Sequence, residues 1–255
     1  MIELKTADEV ATMRESGRVV AKALAATREG AKVGTSLREL DQIAAAVISD
    51  AGAKPSFLHY HPSWAPSPYP GVICTSVNDA VVHGVPSDYR IADGDLVSID
   101  CGAYVDGLHG DAAISFVVGS ADPTDLDLIA CTERALYAGI DAARAGAKLG
   151  DVSYAIGVVG REAGYGLMAD HGGHGVGRAM HEEPYVPNEG KAGKGLRLRE
   201  GLVLALEPMF IMGGRDQYWR DEDGWTLRTV GGTRAAHVEH TIAITGDGPV
   251  ILTEL

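Results

Sequence analysis

Apolar positions recur at helical spacing in four stretches of this chain. Thr6-x-x-Glu9 forms a capping box ahead of Val10, Met13, Val20 and Leu24, and Gly30 ends the run. Ser36-x-x-Glu39 does the same ahead of Leu37, Leu40, Ile43, Ala44, Val47 and Ile48, with Gly52 as the stop. Asp122-Pro123 opens a third helix through Leu126, Ile129, Ala130, Leu136 and Ile140, and a shorter fourth starts near Asp151 and runs to Gly164. The linkers inside the two pairs are alike: Arg28-Glu29-Gly30-Ala31-Lys32-Val33-Gly34 recurs as Arg144-Ala145-Gly146-Ala147-Lys148-Leu149-Gly150, 116 positions on. Such a repeat in the same helix–turn–helix context predicts an internal duplication.

Between and after the helix pairs the period changes to two. Residues 71–77 and 80–85 read as short strands, 95–118 as a hairpin turning at Asp106-Gly107, and 201–211 and 237–245 as later strands. Helices leading into hairpin-connected strands predict an α+β fold with the helices on one face of a mostly antiparallel sheet. The loop at 55–70 holds five of the 11 prolines with Phe57, Tyr60, Trp64 and Tyr69, so it is expected to form a fixed wall.

Composition narrows the class. The 255 residues carry 35 acidic and 22 basic side chains, a net charge of −13, which disfavours nucleic acid or an anionic membrane as the main partner. At 45% hydrophobic the chain can bury a large core. Cys74, Cys101 and Cys131 are too few and scattered for a disulfide framework, so reduced, partly buried thiols are expected. No export signal is visible at the start and no apolar run is long enough to span a membrane, so the expected location is cytoplasmic.

Some of the acids sit where acids are costly. If Asp106-Gly107 is a two-residue loop, Asp111 faces Gly102 and Asp100 is its diagonal neighbour on the same face. Two carboxylates there repel unless a cation lies between them; the alternative is a solvent-facing strand with ordinary acids. Glu207 ends the run Leu202-Val203-Leu204-Ala205-Leu206, and Glu239 adjoins the last apolar strand. His174 lies in Gly172-Gly173-His174-Gly175, whose missing side chains would allow close backbone approach to a bound centre; His181 follows in His181-Glu182-Glu183-Pro184, and His83 lies in Val81-Val82-His83-Gly84-Val85-Pro86. Carboxylates with one imidazole suit a pair of divalent ions such as Mn²⁺, Fe²⁺, Co²⁺ or Zn²⁺. His181-Glu182-Glu183-Pro184-Tyr185 lacks the second histidine of a zincin helix, and the glycine run does not match a dinucleotide fingerprint.

The blocks Thr75–Asn78, His83–Pro86, Ser98–Asp100, Asp106–Asp111, Gly173–Gly177, His181–Pro184, Leu206–Met209, Asp223–Trp225 and Glu239–Thr241, taken together and in this order, resemble type I methionine aminopeptidases of the bacterial short form, in peptidase family M24. The resemblance implies the pita-bread fold: one catalytic domain over 1–255, built of pseudo-symmetric halves at roughly 1–120 and 121–255, with helices outside a curved antiparallel sheet. It implies that Asp100 chelates one divalent ion, that Asp111 and Glu239 bridge both, and that His174 and Glu207 complete the second site. His83 and His181 would flank the scissile amide, and Glu207 would shuttle a proton. Tyr60, His61, Cys74, Met180 and Trp225 would form the methionine pocket, and a monovalent cation would sit near Asn78.

The implied activity is removal of the initiator methionine from nascent chains whose second residue is small, by a monomeric enzyme using cobalt, manganese, iron or zinc. Family members often carry Ala-Gln-Phe-Glu-His or Ala-Gln-Tyr-Glu-His at the last ligand, whereas this chain reads Ala236-His237-Val238-Glu239-His240. The rivals are an X-Pro aminopeptidase or prolidase, which share the fold, and a metal-free binding scaffold. Lys191, Lys194, Arg197 and Arg199 form a basic stretch that could dock on a ribosome.

Overall fold

The computed structural model describes residues 2–168 and 170–255. Helix α1 (Ala7–Gly30) starts at Thr6 and α2 (Leu37–Asp50) at Ser36, each with its capping box closed by Glu9 or Glu39. Strands β1 (Lys54–Pro55), β2 (Ile73–Val77), β3 (Ala80–Val82), β4 (Leu96–Val105) and β5 (Leu108–Val117) follow. Next come α3 (Pro123–Ala142), capped by Asp122, and α4 (Leu149–Glu162). The remainder is β6 (Gly166–Leu167), β7 (Gly172–Gly175), β8 (Glu182–Pro187), β9 (Val203–Leu206), β10 (Met209–Ile211), β11 (Tyr218–Arg220), β12 (Leu227–Thr229), β13 (Ala235–His237), β14 (Glu239–Thr245) and β15 (Gly248–Ile251).

Helix α4 begins two residues before Asp151. Asp151 is its third residue and reaches back to accept the Lys148 backbone N–H at 2.8 Å, so it marks the inside of the first turn rather than the cap. This moves the internal repeat. Both α2 and α4 have 14 residues, and Leu37 and Leu149 are 112 positions apart, not the 116 of the sequence match. Gly34 and Gly146 take the same left-handed conformation at φ 90° and 92°, and each donates its N–H to the strand-leading segment, Gly34 to Ile91 O at 2.8 Å and Gly146 to Leu198 O at 2.9 Å. The similar letters four positions out of step reflect a shared preference for glycine, alanine and lysine in such turns.

The main sheet runs β1-β4-β5-β14-β9-β7-β8, with β2 also on β4 and β15 also on β14, and every pairing is antiparallel. The β4–β5 hairpin turns at Asp106 and Gly107, both at positive φ, with Gly102 opposite Asp111 as its two-residue loop requires. Val97, Ile99, Cys101 and Ala103 of β4 point to the face covered by α1 and α2, where they pack with Val20, Ala23, Leu40 and Ile48. Leu204, Leu206, Ile242 and Ile244 point to the same side and pack under α3 and α4 with Leu128, Leu136, Val152 and Ile156. The α+β arrangement with helices on one face is therefore met. All three cysteines are free and buried. Among the described residues no helix is long and apolar enough to cross a membrane.

Two stretches read as single strands are broken. Pro208, with no N–H to donate, ends β9, and the chain re-pairs as β10 in a second sheet with β13 and β6. Val238 marks the matching step, where β13 leaves that small sheet and β14 joins the large one. Glu207 and Glu239 sit at these two breaks, where the sheets part.

Candidate metal centre and substrate pocket

Strand register puts the acids together. Asp100 and Glu239 both face Ala113, and Asp111 lies two residues from it, so all three share the face away from the helices. Ala205 faces both Thr241 and His174, which brings His174 to that face and Glu207, two residues beyond Ala205, with it. The five side chains come from β4, β5, β14, the end of β9, and β7, five successive positions across the sheet.

The cluster has the spacing of ligands rather than of hydrogen-bonded pairs. His174 Nε2 lies 3.7 Å from Asp111 Oδ2 and 3.7 Å from Glu207 Oε1. A tetrahedral ion with bonds near 2.1 Å separates its donor atoms by about 3.4 Å. Single donor atoms of Asp111, His174 and Glu239 lie within 4.8 Å of one another, and so do those of Glu207, His237 and Glu239. Asp100 belongs to neither group, but its carboxyl adjoins that of Asp111, which helps raise its pKa. Asp100 Oδ1, Asp111 Oδ1, Glu239 Oε1 and His237 Nε2 are buried without a hydrogen-bond partner. Four carboxyls in such burial cannot all stay ionised without a counter-charge. Burial first, and the neighbouring carboxylates second, push Asp100, Glu207 and Glu239 well above the ordinary range, and burial pushes Asp111 up to about 7. Burial holds His174 neutral, its pKa down to about 4, while its Nδ1 hydrogen-bonds Gly175 O at 2.8 Å, leaving Nε2 to face the acids. Oxygen and imidazole donors with unpaired buried atoms fit divalent first-row ions.

The glycines around His174 have a different reason from the expected one. A Cβ on Gly172, Gly173 or Gly175 would lie 2.4, 2.1 or 2.3 Å from the carbonyl oxygens of Val186, Ala205 and Glu183. The close approach is between β7 and its neighbours β8 and β9, not to a bound centre.

Beside the acids opens a cavity of about 760 Å³. Its apolar wall is a buried cluster of Phe57, Ala65, Tyr69, Cys74, Met180 and Trp225, with Tyr60 packed against it. Asp223 shapes this wall: its Oδ1 accepts the N–H groups of Trp225 and Thr226, both at 2.8 Å, around Gly224 at φ 78°. The proline-rich loop is thus the expected wall, and of its residues Phe57, Tyr60, Trp64 and Tyr69 line the cavity. His61 does not line it; the ring is exposed and bonds Ala65 O at 3.2 Å. His83, at φ 60° after β3, and His181, in the β7–β8 loop, both line the cavity, His181 with its ring 4.2 Å from that of His174. Burial, then the neighbouring His171, lowers the His83 pKa to about 3, and its Nδ1 has no partner.

Several residues have contacts that the sequence did not assign to them. Lys5 is buried and its ammonium lies 2.9 Å from Glu182 Oε2, while Glu182 Oε1 accepts the Ala179 N–H, which fixes the turn carrying His181. Arg220 stacks 4.6 Å over Trp64 at the cavity mouth. His237 is 1% exposed and joins the acids directly. The Asn78 side-chain oxygen accepts from Leu96 N–H and from the Arg234 guanidinium.

A family model for metallopeptidase family M24 matches residues 11–246. Methionine aminopeptidase 1 of Mycobacterium tuberculosis is 49% identical over 99% of this chain and 95% of its own length. Methionine aminopeptidase of Aquifex aeolicus is 44% identical, covering 100% of this chain and 99% of its own. Among solved structures, methionine aminopeptidase from Thermotoga maritima aligns with a TM-score of 0.95 at 39% identity over the whole of both chains. Prolidase from Pyrococcus furiosus aligns at a TM-score of 0.79 and 24% identity over 99% of this chain but 65% of its own, a likeness of fold alone.

Proposed function

The chain belongs to metallopeptidase family M24, with the pita-bread fold and a metal-dependent hydrolase's activity, and on that premise we propose that it removes the initiator methionine from nascent polypeptides. The observation that carries the proposal is the convergence of Asp100, Asp111, His174, Glu207 and Glu239 on one sheet face beside an apolar and aromatic wall.

Those five residues would hold two divalent ions, drawn from cobalt, manganese, iron or zinc. Once bound, such a pair polarises the scissile carbonyl and lowers the pKa of water at the centre. The chain's own groups do the rest. Phe57, Tyr69, Cys74, Met180 and Trp225 take the unbranched methionine side chain, soft and aromatic surface against a thioether. His83 and His181 hydrogen-bond the scissile amide from the cavity side. Glu207 receives the proton from the attacking water and passes it to the leaving amine. The second substrate residue must be small because the peptide has to pass close to the metal centre. A monovalent cation near Asn78 would not use its side-chain oxygen, which already accepts from the Arg234 guanidinium. The equivalent helix pairs support reading the two halves as one catalytic domain, and a monomer acting in the cytoplasm suits a substrate emerging from translation.

Chelator-stripped protein should release no methionine from Met-Ala-Ser, regain the activity with added divalent metal, and stay inactive as Asp100→Asn. Full activity without metal, or an unaffected Asp100→Asn variant, overturns the reading. Cleavage of X-Pro peptides with none of Met-Ala-Ser would replace it with a prolidase function.

The exposed Lys191, Lys194, Arg197 and Arg199 surround the start of α4, where Lys194 and Leu196 carbonyls accept from Gly150 and Leu149. They support ribosome docking through phosphate contacts. Replacing all four by glutamine should abolish co-sedimentation with ribosomes at low salt, while unchanged co-sedimentation ends the idea.

A further inference from the structure

Glu207 is flanked by two imidazoles, one at each carboxylate oxygen. His174 Nε2 lies 3.7 Å from Oε1, and His237 Nε2 lies 3.6 Å from Oε2. Each imidazole also faces a second acid: His174 faces Asp111 at 3.7 Å, and His237 faces Glu239 Oε2 at 3.6 Å. The two rings thus stand in matching relations to the acid cluster. All four separations exceed hydrogen-bond length and suit donors that share an ion.

His237 is held to this position from behind. Its N–H donates to Ser115 Oγ at 3.1 Å and its carbonyl accepts from the same hydroxyl at 2.7 Å. Because the Ser115 proton is used there, the 2.7 Å contact between Ser98 and Ser115 has Ser98 as donor. Ser98 and Ser115 face each other across β4 and β5, so the clamp is built on the strands that carry Asp100 and Asp111. The ring itself is 1% exposed, with Nε2 unpartnered. A neutral imidazole nitrogen buried among carboxylates without a partner is costly unless something fills the space between them.

We propose that His237 Nε2 is a sixth protein ligand of the metal centre, on the ion held by Glu207 and Glu239, so that the centre carries a second imidazole in addition to His174. This rests on the metal-binding reading above. A second imidazole shifts the donor set from oxygen toward nitrogen, which favours cobalt, iron and zinc over manganese. His237→Gln keeps a side chain of similar reach but offers only a weakly coordinating amide.

The test uses the cobalt-loaded protein and its paramagnetic proton NMR spectrum, in which each coordinated imidazole gives one far-shifted, solvent-exchangeable N–H signal. Two such signals are expected in the wild type and one in His237→Gln. The dissociation constants for cobalt and zinc should rise roughly 10–100-fold in the variant and that for manganese by less. Fewer than two shifted N–H signals from a wild type that binds cobalt overturns the proposal and leaves the metal-binding reading standing. Failure of the wild type to bind any divalent ion removes both. The wild-type count decides the matter even if the variant folds poorly.

Discussion

Asp111→Asn should lower methionine release by at least about 10³-fold and yet make the metal-free protein more stable at neutral pH. The two halves of this expectation have one cause. Asp111 is 3% exposed, at the centre of the acid cluster, and its Oδ1 has no hydrogen-bond partner. A carboxylate is worth having there only when it faces cations; asparagine matches its shape but brings neither the charge nor the second oxygen. In metal-free protein, burial raises the Asp111 pKa from 3.8 to about 7. The native state then holds a proton that the unfolded chain has released. The stability from that proton is complete below pH 3.8 and is lost as pH rises through about 7.

The variant has no such proton to lose. Its advantage over the stripped wild type should therefore be absent near pH 4 and reach roughly 2–4 kcal/mol above pH 7. Thermal melts of chelator-treated protein from pH 4 to 8 measure this directly, and added metal should reverse the order at pH 7.5. A stripped variant less stable than stripped wild type at pH 7.5 would show that Asp111 serves the fold rather than the ions.

Gly173→Ala should unfold or severely weaken the protein, by more than about 3 kcal/mol, for a reason unrelated to backbone freedom. Its Cβ would lie 2.1 Å from Ala205 O and 3.3 Å from Leu206 Cα. Ala205 cannot give way, since β9 is paired on its other side with β14. The strain must move β7, and with it His174. Gly52→Ala is the control: Gly52 has φ 68° but nothing within 4 Å of its would-be Cβ, so the cost should be roughly 1 kcal/mol. Comparable melting temperatures for the two variants would contradict the packing argument. So would a Gly173→Ala variant that keeps its activity.

Much of this protein follows from short-range pattern. The capping boxes at Thr6 and Ser36, the Asp122 cap and the Asp106-Gly107 turn are decided within a few residues, so the chain states them directly. The hairpin register follows from turn length alone, and it places Asp100 and Asp111 on one face before any folding argument is made. Residue types did the rest: acids ending apolar runs are costly, and cost points to a site.

The tertiary structure decided what depends on distant strands. Whether Glu207, Glu239 and His174 meet the first two acids is set by β14 pairing with β5 and β9, and β9 with β7, across separations that no local pattern encodes. His237 shows this most clearly. In sequence it opens an expected strand and departs from the family's glutamine, with no role attached; Ser115, 122 positions earlier, holds its backbone while its ring faces two acids. The apparent repeat at 116 positions became 112 because the hydrogen bonds that Gly34 and Gly146 make to the segments leading into β4 and β9, and the Asp151 bond to Lys148, fix where each helix begins, not similar letters. Likewise the glycines near His174 were legible as close contacts, but only the packed sheet could say that the contact is with neighbouring backbone. Local preferences act over a turn or a loop, whereas a cluster of acids and imidazole assembled from five strands exists only once the sheet has closed around it.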